Sequence, residues 1–285
     1  MATAPTPPLI TLSTRASRLL PLASFLPVAA AAGLDGVDLD LTGRLGRPAP
    51  EPIRLRAARE GVPVRSVWLP PTSGGPLSER QGRRMAATAV SLVAGTGATT
   101  VVVDRPTAAT ERRPPGPRRP GTRSLLQVLR QELPEPIRIA LVVRPRQLGG
   151  TRDHLVEMTA LRRLAEEWDY DLALDLFGPI DIGWEAEAAV TRLLPRLTAI
   201  RLGPLESRPP GRGRARMTAR VLSLAVDAGF GGTIATTPQP AALQGLWGPA
   251  IARAGSATAA LIRDRYLTVH QPTQRDTFTR SRQRS

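Results

Sequence analysis

The amino-acid sequence predicts a single-domain (β/α)8 TIM barrel of the α/β class. Short apolar runs alternate about eight times with segments of helical period, and a glycine commonly separates a helix from the following strand. Alternation of this kind over 285 residues matches a barrel of about 250 residues with terminal extensions. An open doubly wound sheet is the structural alternative, but it usually has fewer strands and a glycine-rich phosphate turn after its first strand. Here the first strand continues into TRASR instead.

Residues 29–41, AAAAGLDGVDLDL, show the unit from which the chain is built. Gly33 ends a small-residue helix, because glycine adopts the left-handed conformation at little cost. In the strand that follows, the apolar residues of 37–41 alternate with Asp38 and Asp40. The apolar set of a parallel strand covered by helices faces those helices. Both aspartates are therefore predicted to face the inside of the barrel.

The other strands and helices follow from the same two periods. Strands, as short runs rich in Val, Ile, Leu and Thr, are predicted at residues 9–13, 37–41, 62–69, 99–104, 137–143, 172–176, 197–202 and 233–237. Helices are predicted at residues 16–32, 53–60, 78–94, 124–131, 154–168, 184–194, 217–228 and 241–266. Ser78 is a typical N-cap with Glu79 in the first turn, and Gly61 closes the preceding helix.

The ends of the chain differ in composition from the rest. Residues 1–8 are rich in Pro and Thr, and residues 268–285 are polar and rich in Arg. We predict a disordered N-terminus, a barrel of residues 9–267 and a flexible C-terminal tail.

The formal net charge of +15 is typical of nucleic-acid-binding proteins, but the composition weakens that inference. All 39 basic residues are Arg, and neither Lys nor Asn occurs. Together with abundant Ala, Pro and Gly, this usage indicates a GC-rich bacterial genome. Part of the positive charge is then mutational in origin, and a generally basic surface is predicted.

Composition also bounds the cellular setting. The absence of Cys excludes disulfides and thiolate metal sites. The apolar stretch 19–32 is interrupted by Pro21 and Pro27 and is shorter than the roughly 20 residues of a membrane span. It follows a predicted strand instead of a short basic leader, so we predict a core helix. A cytoplasmic protein without membrane association is expected.

Chemistry in this architecture occurs at the carboxyl ends of the strands, the mouth of the barrel. The period of two predicts which side chains face inward there. They are Asp38 and Asp40, Ser66 and Trp68, Val102 and Asp104, Ala140, Val142 and Arg144, Ala173 and Asp175, Ala199 and Arg201, and Ala235 and Thr237. In most strands the small residue lies deeper and the larger or polar one nearer the mouth. This order is typical of a filled barrel with a polar opening.

The ordered succession of motifs resembles a known superfamily. AAAAGLDGVDLDL, REGVPVRSVWLP, AGTGATTVVVD, IRIALVVRP, LALDLFGP, LTAIRLGP and DAGFGGTIATT are similar, in order and spacing, to the successive units of xylose isomerase-like TIM barrels. That superfamily contains sugar and sugar-phosphate isomerases and epimerases, and also apurinic-site endonucleases. The resemblance covers residues 9–267 and implies that any activity is of the isomerase or epimerase class.

The resemblance also implies where a divalent metal would be held. Such enzymes use a Glu on strand five, an Asp and a nearby His on strand six, a His on strand seven and a Glu on strand eight; the two Glu also move the substrate proton. The matching positions here are Val142, Asp175, Gly178, Arg201 and Thr237. One carboxylate cannot supply the oxygen ligands of Mg²⁺ or Mn²⁺, and Val and Thr are not bases. We therefore expect neither a metal nor a cofactor, and a degenerate site.

The aspartates at the mouth have two interpretations. Asp175, Asp38 and Asp104 are candidate catalytic residues if the carboxylates form a relocated metal or general-base site. The favoured alternative pairs the aspartates with Arg65, Arg144 and Arg201 in a structural ion network across the mouth.

Candidate ligand-binding residues surround these aspartates: Asp40, Trp68, Arg144, Arg201, Thr237 and His154. Trp68 either stacks on a ligand ring or plugs the barrel, the commoner role of an inward Trp. His154 begins the helix after strand five, on the mouth side, where it can reach a ligand or remain a solvated surface residue.

Three functions remain open from the sequence. The first is a xylose isomerase-like barrel that has lost metal-dependent catalysis, a pseudoenzyme that binds a small anionic or polyol ligand. The second is a divergent sugar isomerase or epimerase that uses the relocated aspartates. The third is a nucleic-acid-binding barrel that uses the Arg-rich loops at 105–123 and 203–216. Aromatic residues make up only 4% of the chain, so stacking platforms are scarce and nucleic acid is the disfavoured partner.

Overall fold

A computed structural model describes residues 6–16, 20–42, 48–70, 79–104, 125–144, 151–176, 186–203, 213–237 and 247–270. Its strands are β1 Leu9–Ser13, β2 Gly36–Asp40, β3 Val64–Trp68, β4 Thr100–Asp104, β5 Arg138–Val143, β6 Asp171–Leu176, β7 Leu197–Leu202 and β8 Thr233–Thr236. They form one closed barrel in sequence order. Each strand is parallel to the next, and β8 closes on β1 with Leu9 opposite Thr233. The predicted (β/α)8 barrel is confirmed.

Helices cover the outside of the barrel. They are α1 Phe25–Ala31, α2 Pro50–Glu60, α3 Glu79–Thr96, α4 Leu125–Glu132, α5 Thr151–Glu167, α6 Ala186–Leu193, α7 Gly213–Asp227 and α8 Trp247–His270. Within the described ranges, no helix is both long and apolar enough to cross a membrane.

The first helix is shorter than the sequence predicted. Residues Thr14–Ala16 and Leu22–Ser24 form short 3-10 turns, and the α-helix begins only at Phe25. Pro21 lacks a backbone N–H and disfavours helical geometry in the residue before it, which accounts for the late start. The helix ends as predicted, because Gly33 adopts a left-handed φ of 63°.

The core has two layers. The larger layer lies between strands and helices and includes Val37 and Leu39, the apolar residues that alternate with the β2 aspartates. The smaller layer fills the barrel interior and consists of Trp68, Val102, Ala140, Val142, Ala173 and Ala199. These are inward positions predicted from the period of two. Trp68 is only 2% exposed and packs among small side chains, so it plugs the barrel.

Two glycines of α3 provide a matched test of this packing. A Cβ at Gly95 would lie 2.4 Å from Cβ of Pro50 in α2, whereas a Cβ at Gly82 would meet nothing within 4 Å. Gly95→Ala should lower the free energy of unfolding by about 1–3 kcal/mol through overpacking. Gly82→Ala should raise it by about 0.5–1 kcal/mol through helix propensity. Urea unfolding of both variants measures the difference in free energy of unfolding. Equal effects would show that α2 and α3 do not pack closely at Gly95.

Candidate functional site

A single buried arginine organises the mouth of the barrel. The side chain of Arg201, which begins on β7, is 1% exposed. Its Nε donates to Oδ1 of Asp175 at 3.0 Å, and its Nη2 donates to Oδ2 of the same carboxylate at 2.8 Å. Its Nη1 donates to Asp40 on β2. The guanidinium therefore reaches across the barrel and joins strands on opposite sides.

Trp68 forms the floor beneath this arginine. The guanidinium carbon of Arg201 lies 3.7 Å from the centre of the indole ring, a cation–π contact. The indole Nε1 donates to Oγ of Ser66 at 2.9 Å, so the polar edge of the buried ring is also satisfied. The ring face under Arg201 is covered, which leaves that face unable to stack on a ligand.

Two further arginines extend the contact into a chain of alternating charges. Arg144 donates from Nε to Asp175 at 3.1 Å, and its Nη1 lies 2.5 Å from Oδ1 of Asp104. On the other side, Nη1 of Arg15 lies 3.4 Å from Oδ2 of Asp40. The order is thus Arg15, Asp40, Arg201, Asp175, Arg144 and Asp104. We call this set the mouth ion chain.

Burial and neighbouring charges oppose each other along this chain. Burial alone would lower the pKa of Arg201, but Asp175 and Asp40 outweigh it and raise the pKa. Burial lowers the pKa of Arg15 despite the attraction of Asp40. Burial raises the pKa of Asp104 against the opposing effect of Arg144. With all six groups ionised, the three positive and three negative charges cancel.

Asp38 is a separate buried carboxyl below the mouth ion chain. It accepts a hydrogen bond from the hydroxyl of Thr11 and one from Oγ of Ser66 at 2.6 Å. Burial raises its pKa, and these two hydrogen bonds and Arg201 only partly offset the effect. Asp38 therefore favours its neutral form more than an ordinary aspartate does.

Hydroxyl groups line the side of the mouth formed by β8 and β1. The hydroxyl of Thr237 is buried and has no hydrogen-bond partner among the described residues. Oγ1 of Thr14 accepts from the backbone N–H of Asp40 at 2.7 Å, and the N–H of Thr42 donates to the Asp40 carboxylate at 2.7 Å. Buried hydroxyls without partners are uncommon, so the Thr237 hydroxyl stands out among the described polar groups of the mouth.

The residues at the mouth do not fit the divalent metal that the resemblance to xylose isomerase-like enzymes implies. Both oxygens of Asp175 already accept N–H groups from arginines, and Arg201 places a permanent positive charge beside them. Val142 and Thr237 offer no charged oxygen at the matching positions of β5 and β8. Within the described ranges, no group of three or more His, Asp or Glu side chains could hold a metal ion.

The structure brings most of the predicted residues together. Residues 40, 104, 144, 175 and 201 form the mouth ion chain, Trp68 lies under it, and Asp38 and Thr237 lie outside it. Among the described residues Arg65 forms no close ion pair with a mouth aspartate, although its charge helps to lower the pKa of Asp38. It donates to the backbone carbonyl of Asp35 at 3.2 Å, because it is near the start of β3 and alternates with the inward Ser66. His154 belongs to α5, but its side chain lies outside the described part of the chain, as do Gly178 and most of the Arg-rich loops.

The sequence reasoning missed Arg15 and Thr11. Arg15 follows β1 in the TRASR segment, at the same barrel end as Asp40. Thr11 is on an inward position of β1, and its hydroxyl donates to the carboxyl of Asp38 on β2. The period of two marks positions 11 and 13 of β1 as inward, and continuing it two residues beyond the strand reaches position 15. This signal would have identified both residues.

The mouth ion chain predicts that Asp175 is a structural residue. Asp175→Ala should lower the free energy of unfolding by about 3 kcal/mol or more, because it leaves the buried Arg201 beside Arg144 with Asp40 as its remaining carboxylate partner. Asp227→Ala is the matched control, since it removes an exposed pair with Arg265 and should cost under about 1 kcal/mol. Denaturant unfolding measures both. A more stable Asp175→Ala protein would contradict the structural role, because active-site carboxylates often reduce stability.

Asp38 gives a pH-dependent prediction. Because its pKa is raised by folding, the folded state binds the proton more tightly, and stability is lost as pH rises through the folded pKa. Asp38→Asn should therefore be more stable than the parent at pH 7–8, with the difference shrinking toward pH 4. Asp169→Asn should show the opposite sign, because hydrogen bonding from Arg196 lowers the pKa of Asp169. Melting temperatures of the parent and both variants from pH 4 to pH 8 measure these differences. If the two variants differ from the parent by a constant amount across this range, the pKa shifts assigned to Asp38 and Asp169 are contradicted.

Comparison with known proteins finds solved sugar epimerases with a similar fold. No family model and no curated protein matches the chain. Among solved structures, D-allulose 3-epimerase from Methylomonas sp. aligns with a TM-score of 0.63 and 15% identity, over 93% of this chain and 99% of its own. An L-ribulose 3-epimerase aligns with a TM-score of 0.64 and 14% identity, over 92% of this chain and 95% of its own.

A third similar structure is described as containing a xylose isomerase domain. The xylose isomerase domain-containing protein from Salmonella typhimurium LT2 aligns with a TM-score of 0.55 and 14% identity, over 92% of this chain and 99% of its own. Identities of this size establish the fold alone. The chain has the fold of the xylose isomerase-like TIM barrels, whose solved members include sugar epimerases.

Proposed function

We propose that this chain is a sugar epimerase-like barrel that has lost metal-dependent catalysis and binds a small polyol or anionic ligand at its mouth. The observation that carries the proposal is the buried Arg201, paired with Asp40 and Asp175 over Trp68. Arg201 occupies the position on β7 at which the family resemblance implies a metal-binding His. Its charge opposes cation binding, and its partners are the carboxylates that a metal would need.

The residues described at the matching positions do not support the proton transfer that the family resemblance implies. Deprotonation next to a carbonyl requires a base within hydrogen-bond reach of the carbon-bound proton. Val142 and Thr237 cannot serve, and Asp175 already accepts three hydrogen bonds from arginines. A carboxylate held in this way is a weaker and less accessible base than a free one.

The balance of charge favours a polyol over an anion at the described residues. The mouth ion chain is neutral when ionised, and every guanidinium in it faces a carboxylate. An anion would have to compete with those carboxylates. A polyol would instead meet the hydroxyl of Thr237, which has no partner among the described residues, and the edges of the charged groups. Anion binding would need the Arg-rich loops, which lie outside the described part of the chain.

An active divergent isomerase is the second candidate, and Asp38 is the observation that favours it. A buried carboxyl with a raised pKa and no arginine hydrogen bond is a typical general acid or base. However, its two oxygens are occupied by the hydroxyls of Thr11 and Ser66. The nucleic-acid alternative rests on the two Arg-rich loops and stays a prediction.

One set of measurements separates these functions. Protein purified without chelator should contain no stoichiometric Mn, Zn or Mg by elemental analysis. In D2O, with and without added Mn²⁺, it should not exchange the carbon-bound proton of D-allulose beside the carbonyl, as followed by proton NMR. Xylitol or D-allulose should raise the melting temperature by a few degrees. Thr237→Val should reduce that rise, because it removes the free hydroxyl at the mouth.

The outcomes have distinct meanings. About one metal ion per chain that is lost in Asp175→Ala would overturn the degenerate site. Exchange that is abolished in Asp38→Asn would establish the divergent isomerase. If glycerol 3-phosphate raises the melting temperature and both polyols do not, the ligand class is anionic.

A further inference from the structure

A cavity lies at the opposite end of the barrel from the mouth. It has a volume of about 520 Å³ and is lined by the end of α4, the connection 133–139 into β5, and the turn 168–170 before β6. These segments meet at the amino-terminal ends of the two neighbouring strands. Small-molecule sites commonly have volumes of about 300–1,000 Å³, so this cavity is large enough for a ligand.

The partly exposed side chain of Trp168 lines this cavity. Trp168, just after α5, is 45% exposed, although most large apolar side chains of the described ranges are buried. The guanidinium carbon of Arg130, in the last turn of α4, lies 5.6 Å from the centre of its ring. Pro134, Pro136 and Ile137 supply apolar lining nearby. An exposed indole beside apolar walls suits a planar ring.

A group of ion pairs fixes the turn that carries Trp168. Asp169 has a left-handed φ of 51°, and Nη1 of Arg196 lies 2.7 Å from its carboxylate. Arg138 binds Asp171 through two hydrogen bonds, at 2.6 and 2.7 Å, and its Nη2 lies 4.0 Å from Asp169. A non-glycine residue in this conformation persists only where its surroundings hold it. The cavity wall is therefore preorganised.

The charged side chains that line the cavity balance in number, with Arg130 and Arg138 against Glu135 and Asp169. The three arginines at 130, 138 and 196 all lower the pKa of Asp169. Two aspartates, Asp169 and Asp171, balance Arg196 and Arg138. No ion pair joins Arg130 to a carboxylate in the described part of the chain. Glu135 also lines the cavity and opposes an anion there, which limits the affinity expected for one.

We propose that this cavity is a second binding site, for a planar ring that carries one carboxylate or phosphate group. The ring lies against Trp168, and Arg130 pairs with the anionic group. The proposal is independent of the function proposed for the mouth, because no residue is shared between the two sites. It also gives a role to a face of the barrel that usually serves stability alone.

Calorimetric titration of the full chain with matched probes tests the proposal. 2-Naphthoate has the ring and a carboxylate, 2-naphthol lacks the charge at pH 7, and acetate lacks the ring. Adenosine monophosphate against adenosine provides the same comparison for phosphate. One ringed anion should bind with 1:1 stoichiometry, at least about tenfold more tightly than its uncharged counterpart, with no heat from acetate. Which anion binds identifies the carboxylate or phosphate source.

Variants locate the site. Arg130→Gln should weaken binding of the ringed anion about tenfold and leave the weak binding of the neutral ring unchanged. Trp168→Leu should abolish both. Arg59→Gln is the matched control, because Arg59 is an exposed arginine in the last turn of α2. It should bind as the parent does. Because Arg130 is exposed, its variant keeps the test valid even if Trp168→Leu does not fold.

Three results would overturn the proposal. The first is that neither ringed anion binds at 5 mM; a dissociation constant of that size corresponds to a binding free energy of about 3 kcal/mol. The neutral ring binds as tightly as its anion. Arg130→Gln and Arg59→Gln change the dissociation constant equally, which would show that general positive charge and not this cavity attracts the probe.

Discussion

The contact of Arg201 with Asp40, Asp175 and Trp68 is the interaction on which the barrel mouth depends. A guanidinium that is 1% exposed loses nearly all its hydration, and only paired carboxylates repay that loss. Both carboxylates must stay in place for the arginine to remain buried. Since they come from β2 and β6, the single side chain joins opposite sides of the barrel. The arginine also covers the inner Trp, so packing and electrostatics are coupled at this point.

This arrangement is the physical basis for the proposal that the barrel has lost metal-dependent catalysis. Metal-dependent isomerisation needs an open cation site and a free base. The mouth ion chain offers arginines in place of the cation and carboxylates that are already hydrogen-bonded. Asp38 stays outside the chain, and burial raises its pKa instead of an arginine lowering it. The aspartates of the mouth therefore differ in kind: some neutralise arginines, and one is a buried acid among hydroxyls.

The two ends of the barrel use arginine in different ways. At the mouth every described guanidinium in the ion chain faces a carboxylate, which makes the chain rigid and neutral. At the amino-terminal end Arg138 and Arg196 are paired in the same manner, but Arg130 lies over an exposed Trp168. Arginine is always charged and stacks on aromatic rings, so it suits both settings. The high Arg content of the chain thus has specific structural uses besides its general effect on surface charge.

The sequence by itself determined the barrel, its strand order and the inward positions, because periods of two and about 3.6 are local properties of a chain. It also determined which side chains, Val142, Arg201 and Thr237, occupy the positions at which the family resemblance implies metal ligands. It did not determine where the first helix starts, or that Arg65 binds a backbone carbonyl while Arg15 binds Asp40. Which arginine meets which aspartate depends on the shear and closure of the barrel, which bring residues 40 and 201 together. Only the tertiary structure decides such pairs, because long side chains reach across strands and no sequence period records that distance.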